Sequence, residues 1–107
     1  MTDLCKGYIY AEITIHNPTK FEEYLKRTPA IVDEYGGRFI LRGPTCEEVE
    51  GTSVPDRRIV LVEFESLAKA REFYNSTAYQ SAAAFRRDSS KTNLYFYNGY
   101  VPLGYAL

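Results

Sequence analysis

Arg86 is the charged residue whose position asks most of the fold. At about 100° per residue, Ala78, Tyr79, Ala82, Ala83 and Phe85 share one arc of a helix, and Arg86 falls near its middle. An arginine on an apolar arc must pair with a carboxylate, reach a cavity, or snorkel to the helix end. It is then either half of a structural salt bridge or an anion-binding guanidinium. Glu12 and Glu63 are its natural complements, each lying on a strand among apolar neighbours. A carboxylate buried on a sheet has its pKa raised unless a cation is near, so either is a candidate general acid or base, or merely the partner that satisfies Arg86. Arg42 shares a strand side with Arg38 and Ile40 and can point into the same space, or guard a sheet edge from solvent. His16, the only histidine, ends the first strand as a surface neighbour of a helix cap or as a proton-transfer group. Tyr74 and Tyr79 flank a break in the last helical stretch, and Tyr10 lies on a strand face. Their hydroxyls are candidate donors to a ligand, or the polar ends of core rings.

Other chemistries are poorly served. With one histidine, a His-based metal site within one chain is not expected, and no nucleophile elbow accompanies His16. Gly36-Gly37 is a doublet rather than a phosphate cradle. Cys5 and Cys46, without CxxC spacing, read as free thiols in a reducing compartment. A net charge of −1 gives no nucleic-acid footprint and no membrane-seeking basic stretch. No apolar run approaches the roughly 20 residues of a membrane span, and the first residues form no signal-peptide core. The expectation is a cytoplasmic protein that needs no cofactor or metal and binds neither nucleic acid nor membrane. Ten tyrosines, six phenylalanines and no tryptophan make it rich in rings with a hydroxyl handle, which suits a polar-lined cavity or an interface.

The elements that position these residues follow from periodicity. Gly7 to Ile15 alternates, with Ile9, Ala11, Ile13 and Ile15 on one face and Tyr8, Tyr10, Glu12 and Thr14 on the other, which is a strand. Asn17-Pro18 opens a helix whose inward residues are Phe21, Tyr24, Leu25, Thr28, Val32 and Tyr35, with Gly36 as terminator. Pro29 must kink this helix or restart it, with Thr28 as a second cap. Arg38 to Arg42 is the second strand, continuing as Cys46 to Glu50 after a bend at Gly43-Pro44. Arg58 to Glu65 is a strand apolar on both faces, as if covered on two sides. Ser66 caps a helix facing inward with Leu67, Ala70, Phe73 and Tyr74. After a break at Asn75-Ser76, Thr77-x-x-Gln80 has the form of a capping box, and helix runs to about Arg87. Asn93 to Val101 closes the core as a tyrosine-rich strand, before a short tail over 102–107.

The 107 residues therefore read as one α+β domain, ferredoxin-like βαββαβ, with its core over about 6–101. Two crossover helices would cover one face of a four-stranded antiparallel sheet. The other face, with Tyr8, Tyr10 and half of the third strand, is too apolar to leave wet, which predicts a homodimer.

Lys6-Gly7-Tyr8, Tyr35-Gly36-Gly37-Arg38-Phe39, Arg42-Gly43, Glu50-Gly51, Pro55, Arg57, Glu63-Phe64, Ser66, Tyr74-Asn75-Ser76, Tyr79 and Arg86 together form a pattern. Over about Lys6 to Tyr100 the chain resembles the bacterial domain-of-unknown-function 1330 family, of the dimeric α/β-barrel superfamily. The resemblance implies the ferredoxin-like fold, a homodimer and a pocket near the sheet, and brings no established reaction. Relatives tend to have aspartate where this chain has Asn17, and an acidic residue before the glycine of Tyr95-Phe96-Tyr97-Asn98-Gly99. Related branches are cofactor-free monooxygenases, muconolactone isomerases and haem-dependent dismutases. The haem branch fits least, since His16 ends a strand rather than facing a pocket from a helix.

Taken together, the expected protein is a homodimer with a Tyr/Arg/Glu-lined pocket for a small anionic or phenolic metabolite. Arg86 or Arg42 would hold the anion, and Glu63, Glu12 or His16 would move a proton. Cofactor-independent isomerase or oxygenase chemistry suits these groups. The alternative is a non-catalytic binding or assembly module whose polar residues are structural.

Overall fold

The structure is a computed structural model that describes residues 5–43, 46–52 and 56–100. Its elements are β1 (Gly7–Ile15), α1 (Pro18–Glu34), β2 (Arg38–Gly43), β3 (Arg57–Phe64), α2 (Leu67–Asn75), α3 (Thr77–Ser89) and β4 (Ser90–Asn98). The strands form one sheet in the order β2-β3-β1-β4, every neighbour antiparallel. This is the ferredoxin-like α+β fold, with the second crossover helix split into α2 and α3.

Strand β1 is central, and its alternation sets the core. Ile9, Ala11 and Ile13 are buried under the helices, while Tyr8, Tyr10 and Glu12 are half-buried on the opposite face. Phe21 and Val32 of α1, Val62 and Phe64 of β3, and Phe73 and Tyr79 of α2 and α3 complete the core. Full burial of such side chains is worth about 1.5–3 kcal/mol each.

The helix ends obey local chemistry. The Asn17 side chain accepts from the Lys20 N–H at 3.2 Å, capping α1 with Pro18 at its first position. At the other end Gly36 takes φ +72°, its N–H donates to Asp33 O, and the Gly37 N–H donates to Val32 O. This is a Schellman closure, for which a glycine carries no Cβ penalty. Ser66 caps α2 by accepting from the Lys69 N–H.

Several local expectations are corrected. Helix α1 neither ends nor restarts at Pro29, and Thr28 does not cap; its hydroxyl donates to the Tyr24 carbonyl at 2.6 Å. Pro29 lies in the helix on its half-buried side, and tertiary packing of Thr28 and Val32 carries the helix past it. The cap of α3 is Ser76, one residue before the expected Thr77; Ser76 Oγ accepts from the Tyr79 N–H at 3.1 Å. Gln80 turns its amide away from the cap to the Tyr74 carbonyl. Residues 46–50 form no strand, so β2 stops at Gly43. Helix α3 runs to Ser89 and β4 begins at once at Ser90, three residues earlier than the sequence suggested. Pro44, Pro55, Val101 and the 102–107 tail lie outside the described residues. No helix among the described residues is long and apolar enough to cross a membrane.

Gly7 sits where β1 passes under the start of α2, and a Cβ there would overlap the backbone of Ser66 and Leu67. Neither segment can yield without moving a central strand or a capped helix. Gly7→Ala is therefore expected to cost about 2 kcal/mol or more, read as a lower urea midpoint; an unchanged midpoint would contradict this packing.

Candidate functional site

The sheet divides the candidate residues into two groups that cannot meet within one chain. Arg86 is buried, at 5% exposure, on the face of α3 that also buries Tyr79, Ala82, Ala83 and Ser89. The inward phase is thus as expected, although Ala78 is exposed and Phe85 only half-buried. The expected pairing of Arg86 with Glu63 or Glu12 is corrected. Both carboxylates lie beyond the sheet, because β1 and β3 direct them to the face opposite the helices. In their place Arg86 meets phenols: its guanidinium carbon lies 5.7 Å from the Tyr24 ring centroid, and its Nε has no hydrogen-bond partner. Burial pulls the guanidinium pKa down, but the neighbouring Tyr79 and Tyr24 side chains more than offset this and hold it above its ordinary value.

Tyr24 and Tyr79 join α1 to α3 through a hydroxyl–hydroxyl contact of 2.8 Å. Burial, then Tyr79, pushes the Tyr24 phenol far up, so it stays protonated at any physiological pH. Tyr74 packs on Tyr79 with ring centroids 5.6 Å apart, and Arg87 beside its hydroxyl draws its pKa down. Tyr24 was legible only as a core position of α1; its partner across the helix pair could not be read from spacing.

Between sheet and helices lies a cavity of about 40 Å³, walled by Ile9, Ile13, Val60, Val62, Leu25 and other apolar side chains. Its polar lining is confined to Tyr24, Tyr79, Thr28, Arg42 and Arg58. Arg42 reaches this space through a β-bulge. Phe39 faces Val62 and Leu41 faces Leu61, so Ile40 is the extra residue and the phase of β2 slips by one. Arg42 therefore stands opposite Val60 on the helix side, over the Phe39 ring at 4.6 Å, and does not share the side of Arg38 and Ile40 as expected. Arg58 was missed. It lies in phase with Val60 and Val62, a signal hidden by reading that strand as apolar on both faces.

The opposite face carries Tyr8, Tyr10, Glu12, Arg38, Leu61 and Glu63 around a broad depression continued by Tyr97 and Tyr100. Two similar clusters form there. Tyr8 donates to Glu63 Oε2 at 2.8 Å and Arg38 Nε donates to Oε1 at 2.9 Å. Tyr10 donates to Glu12 Oε2 at 3.1 Å, with Arg57 at 3.8 Å. Hydrogen bonds from Tyr8 and Arg38 hold Glu63 below the usual carboxylate range, and the same contact raises Tyr8. Desolvation and Glu12 raise Tyr10. Tyr10 also stacks on Tyr95 and meets Tyr97 edge-on, both at 6.2 Å. His16 is exposed at the end of β1, its backbone N–H donating to Ser89 O at 2.9 Å. It lies outside both groups.

A lowered carboxylate pKa stabilises the fold above the unfolded value, 4.5, and the contribution is lost as pH falls through the folded value. Glu63→Gln should flatten the acid limb of the stability–pH curve below about pH 5. Tyr8→Phe should raise the Glu63 pKa in a carboxyl NMR titration, and an unmoved titration would show that the Tyr8 contact does not hold in solution.

Known folds agree with this arrangement. A protein of unknown function from Rhodopseudomonas palustris superposes with TM-score 0.72 at 12% identity, covering 94% of this chain and 86% of that one. SnoaB, a cofactor-independent oxygenase from Streptomyces nogalater, gives 0.67 at 16% identity over 94% and 99%. A conserved protein from Methanosarcina mazei gives 0.52 at 16% identity over 86% and 92%. At such identities the likeness is one of fold. No curated protein matches the sequence. The family description "Domain of unknown function (DUF1330)" matches residues 6–100, nearly the whole length, and the chain belongs to that family.

Proposed function

We propose that the protein is a homodimeric binder of a small anionic or phenolic metabolite, held in the depression on the open sheet face. The observation that carries this reading is the lining itself: an open depression of about 880 Å³ where Ile40, Leu61 and the faces of Tyr8, Tyr10 and Tyr97 surround Arg38, Glu12 and Glu63, whereas the space under the helices is only about 40 Å³. Pockets of this composition use apolar walls for affinity and a few polar groups for orientation. Arg38 attracts the anion, and the Tyr8, Tyr10 and Tyr97 rings flank the rest of the ligand. The dimer is supported by the open sheet face, where Leu41, Tyr95 and Tyr97 are exposed at 53%, 44% and 52%. A second copy covering that face would shield these side chains and the Tyr8–Glu63–Arg38 cluster.

Turnover on this reading is cofactor-independent isomerisation or oxygenation. SnoaB is a precedent for the fold alone. Glu12 and Glu63, with the Tyr8 and Tyr10 phenols, are the proton-active groups that reach a ligand bound there between the sheets of a dimer. Since both carboxylates are already held by arginine and tyrosine, binding without turnover is the second reading.

Two measurements test the proposal. Light scattering at micromolar concentration is expected to give twice the chain mass, and a stable monomer would remove the dimer. In a thermal-shift series, benzoate and phenol should raise the melting temperature more than acetate. Arg38→Met should weaken benzoate about tenfold, the effect of losing one charge-assisted contact. Equal responses to all three probes, or none, would refute the depression as a ligand site.

A further inference from the structure

The two clusters on the open face look alike but are not satisfied alike. Both Glu63 oxygens are engaged: Oε1 accepts from Arg38 Nε at 2.9 Å and Oε2 from Tyr8 at 2.8 Å. At Glu12 both contacts fall on one atom. Oε2 accepts from Tyr10 at 3.1 Å and has Arg57 at 3.8 Å, while Oε1 accepts no hydrogen bond among the described residues. Arg38 is uneven in the same way. Its Nε is held by Glu63, which aims the rest of the fork, and neither Nη donates to any described residue. The side chain is 71% exposed, and it lines the depression. One pair of donors and one acceptor are thus left unused on this face.

The sheet fixes how far apart they stand. Arg38 is opposite Glu63, Glu63 is opposite Tyr8, and Glu12 lies four residues further along β1. At about 3.3 Å per residue the two rows are on the order of 13 Å apart, before side chains reach over the floor. The row between them holds Tyr10 opposite Leu61, with Tyr95 stacked on Tyr10 at 6.2 Å. That stretch of floor suits an aromatic ring. Arg57 already gives Glu12 a cation, so what Oε1 lacks is a neutral donor.

We propose that the depression selects a hydroxyaryl acid lying lengthwise, its carboxylate on the Arg38 fork, its ring over Leu61 and Tyr10, and its hydroxyl donating to Glu12 Oε1. On the reading that the depression is the ligand site, the anionic and phenolic groups thus belong to one molecule. The two Nη groups match a carboxylate in direction as well as charge. A ring with a para hydroxyl, and an arm of a few carbons before the carboxylate, spans the two rows better than benzoate does. The titratable and charged groups facing Glu12 are Tyr10 on its own strand and Arg57 from β3. From β4 come Tyr95 and Tyr97 against Tyr10, with Lys91 one register step beyond Asn93.

The probes are 4-hydroxycinnamate and cinnamate, which differ only in the hydroxyl. By isothermal titration the intact protein should bind 4-hydroxycinnamate about tenfold more tightly, the effect of one hydrogen bond to a carboxylate. Glu12→Ala should close that gap, whereas Arg38→Met should weaken both probes and keep it. The bound phenol should also ionise at a higher pH than it does free, because the phenolate would face Glu12. The absorption band that only the phenolate has reports this in wild type, so it gives a reading even if Glu12→Ala fails to fold. Equal binding of the two probes, or an ionisation unshifted or lowered, with benzoate still raising the melting temperature, would overturn the hydroxyaryl selectivity and leave the binding proposal standing. A gap that survives Glu12→Ala would overturn it equally. So would a Glu12→Ala protein that falls to the chain mass in light scattering, since Oε1 would then serve the partner copy. If cinnamate and benzoate both fail to bind, both proposals fall.

Discussion

The pleat of β1 is the constraint on which the rest of the molecule depends. This strand is hydrogen-bonded on both sides, to β3 and to β4, so its register is fixed twice over. Every side chain opposite an odd-numbered β1 residue from Ile9 to Ile13 faces the helices, and every one opposite Tyr8, Tyr10 or Glu12 faces away. Val62, Val60 and Leu94 thereby join the core, while Glu63, Leu61, Tyr97 and Tyr95 join the open face. A slip of one residue would bury Glu12 under the helices and expose Ile13, which is why the strand has no workable alternative.

That division separates two kinds of polar chemistry. On the open face each carboxylate has a guanidinium and a phenol beside it, so Glu12 and Glu63 lie within satisfied networks. Under the helices no such compensation exists, and the one buried guanidinium among the described residues rests on aromatic rings and hydroxyls. Replacing an ion pair by well-packed apolar groups is often neutral or favourable, so stability alone gives no reason for an arginine at position 86. Its burial among phenols is the feature that most distinguishes this interior from an ordinary core.

The bulge at Ile40 couples the two faces. Without it, the alternation of β2 would have put Arg42 beside Arg38 over the open face, where Glu63 already has a cation. With it, Arg38 serves Glu63 and Arg42 serves the chamber, two roles divided by one extra residue. The same strand ends at Gly43, φ +134°, a conformation that non-glycine residues seldom adopt.

The sequence by itself determined the element order, the inward face of β1, the caps at Asn17 and Ser66, and the inward phase of Arg86. Each of these is a short-range effect: a period of two or 3.6, or a side-chain oxygen within three residues of the N–H it accepts. Tertiary structure decided the partners. Glu63 and Arg86 looked complementary because both were charged residues on apolar stretches, yet a sheet one residue thick lies between them. Arg42 changed sides through a bulge that alternation cannot announce, since one extra residue leaves no mark in a six-residue strand. Helix α1 ran on past Pro29, with Thr28 buried and its hydroxyl on the Tyr24 carbonyl, whereas local rules asked for a kink or a restart. Tyr24 met Tyr79 across 55 positions of sequence. Contacts of that range depend on how helices settle on the sheet, and only the assembled core fixes that.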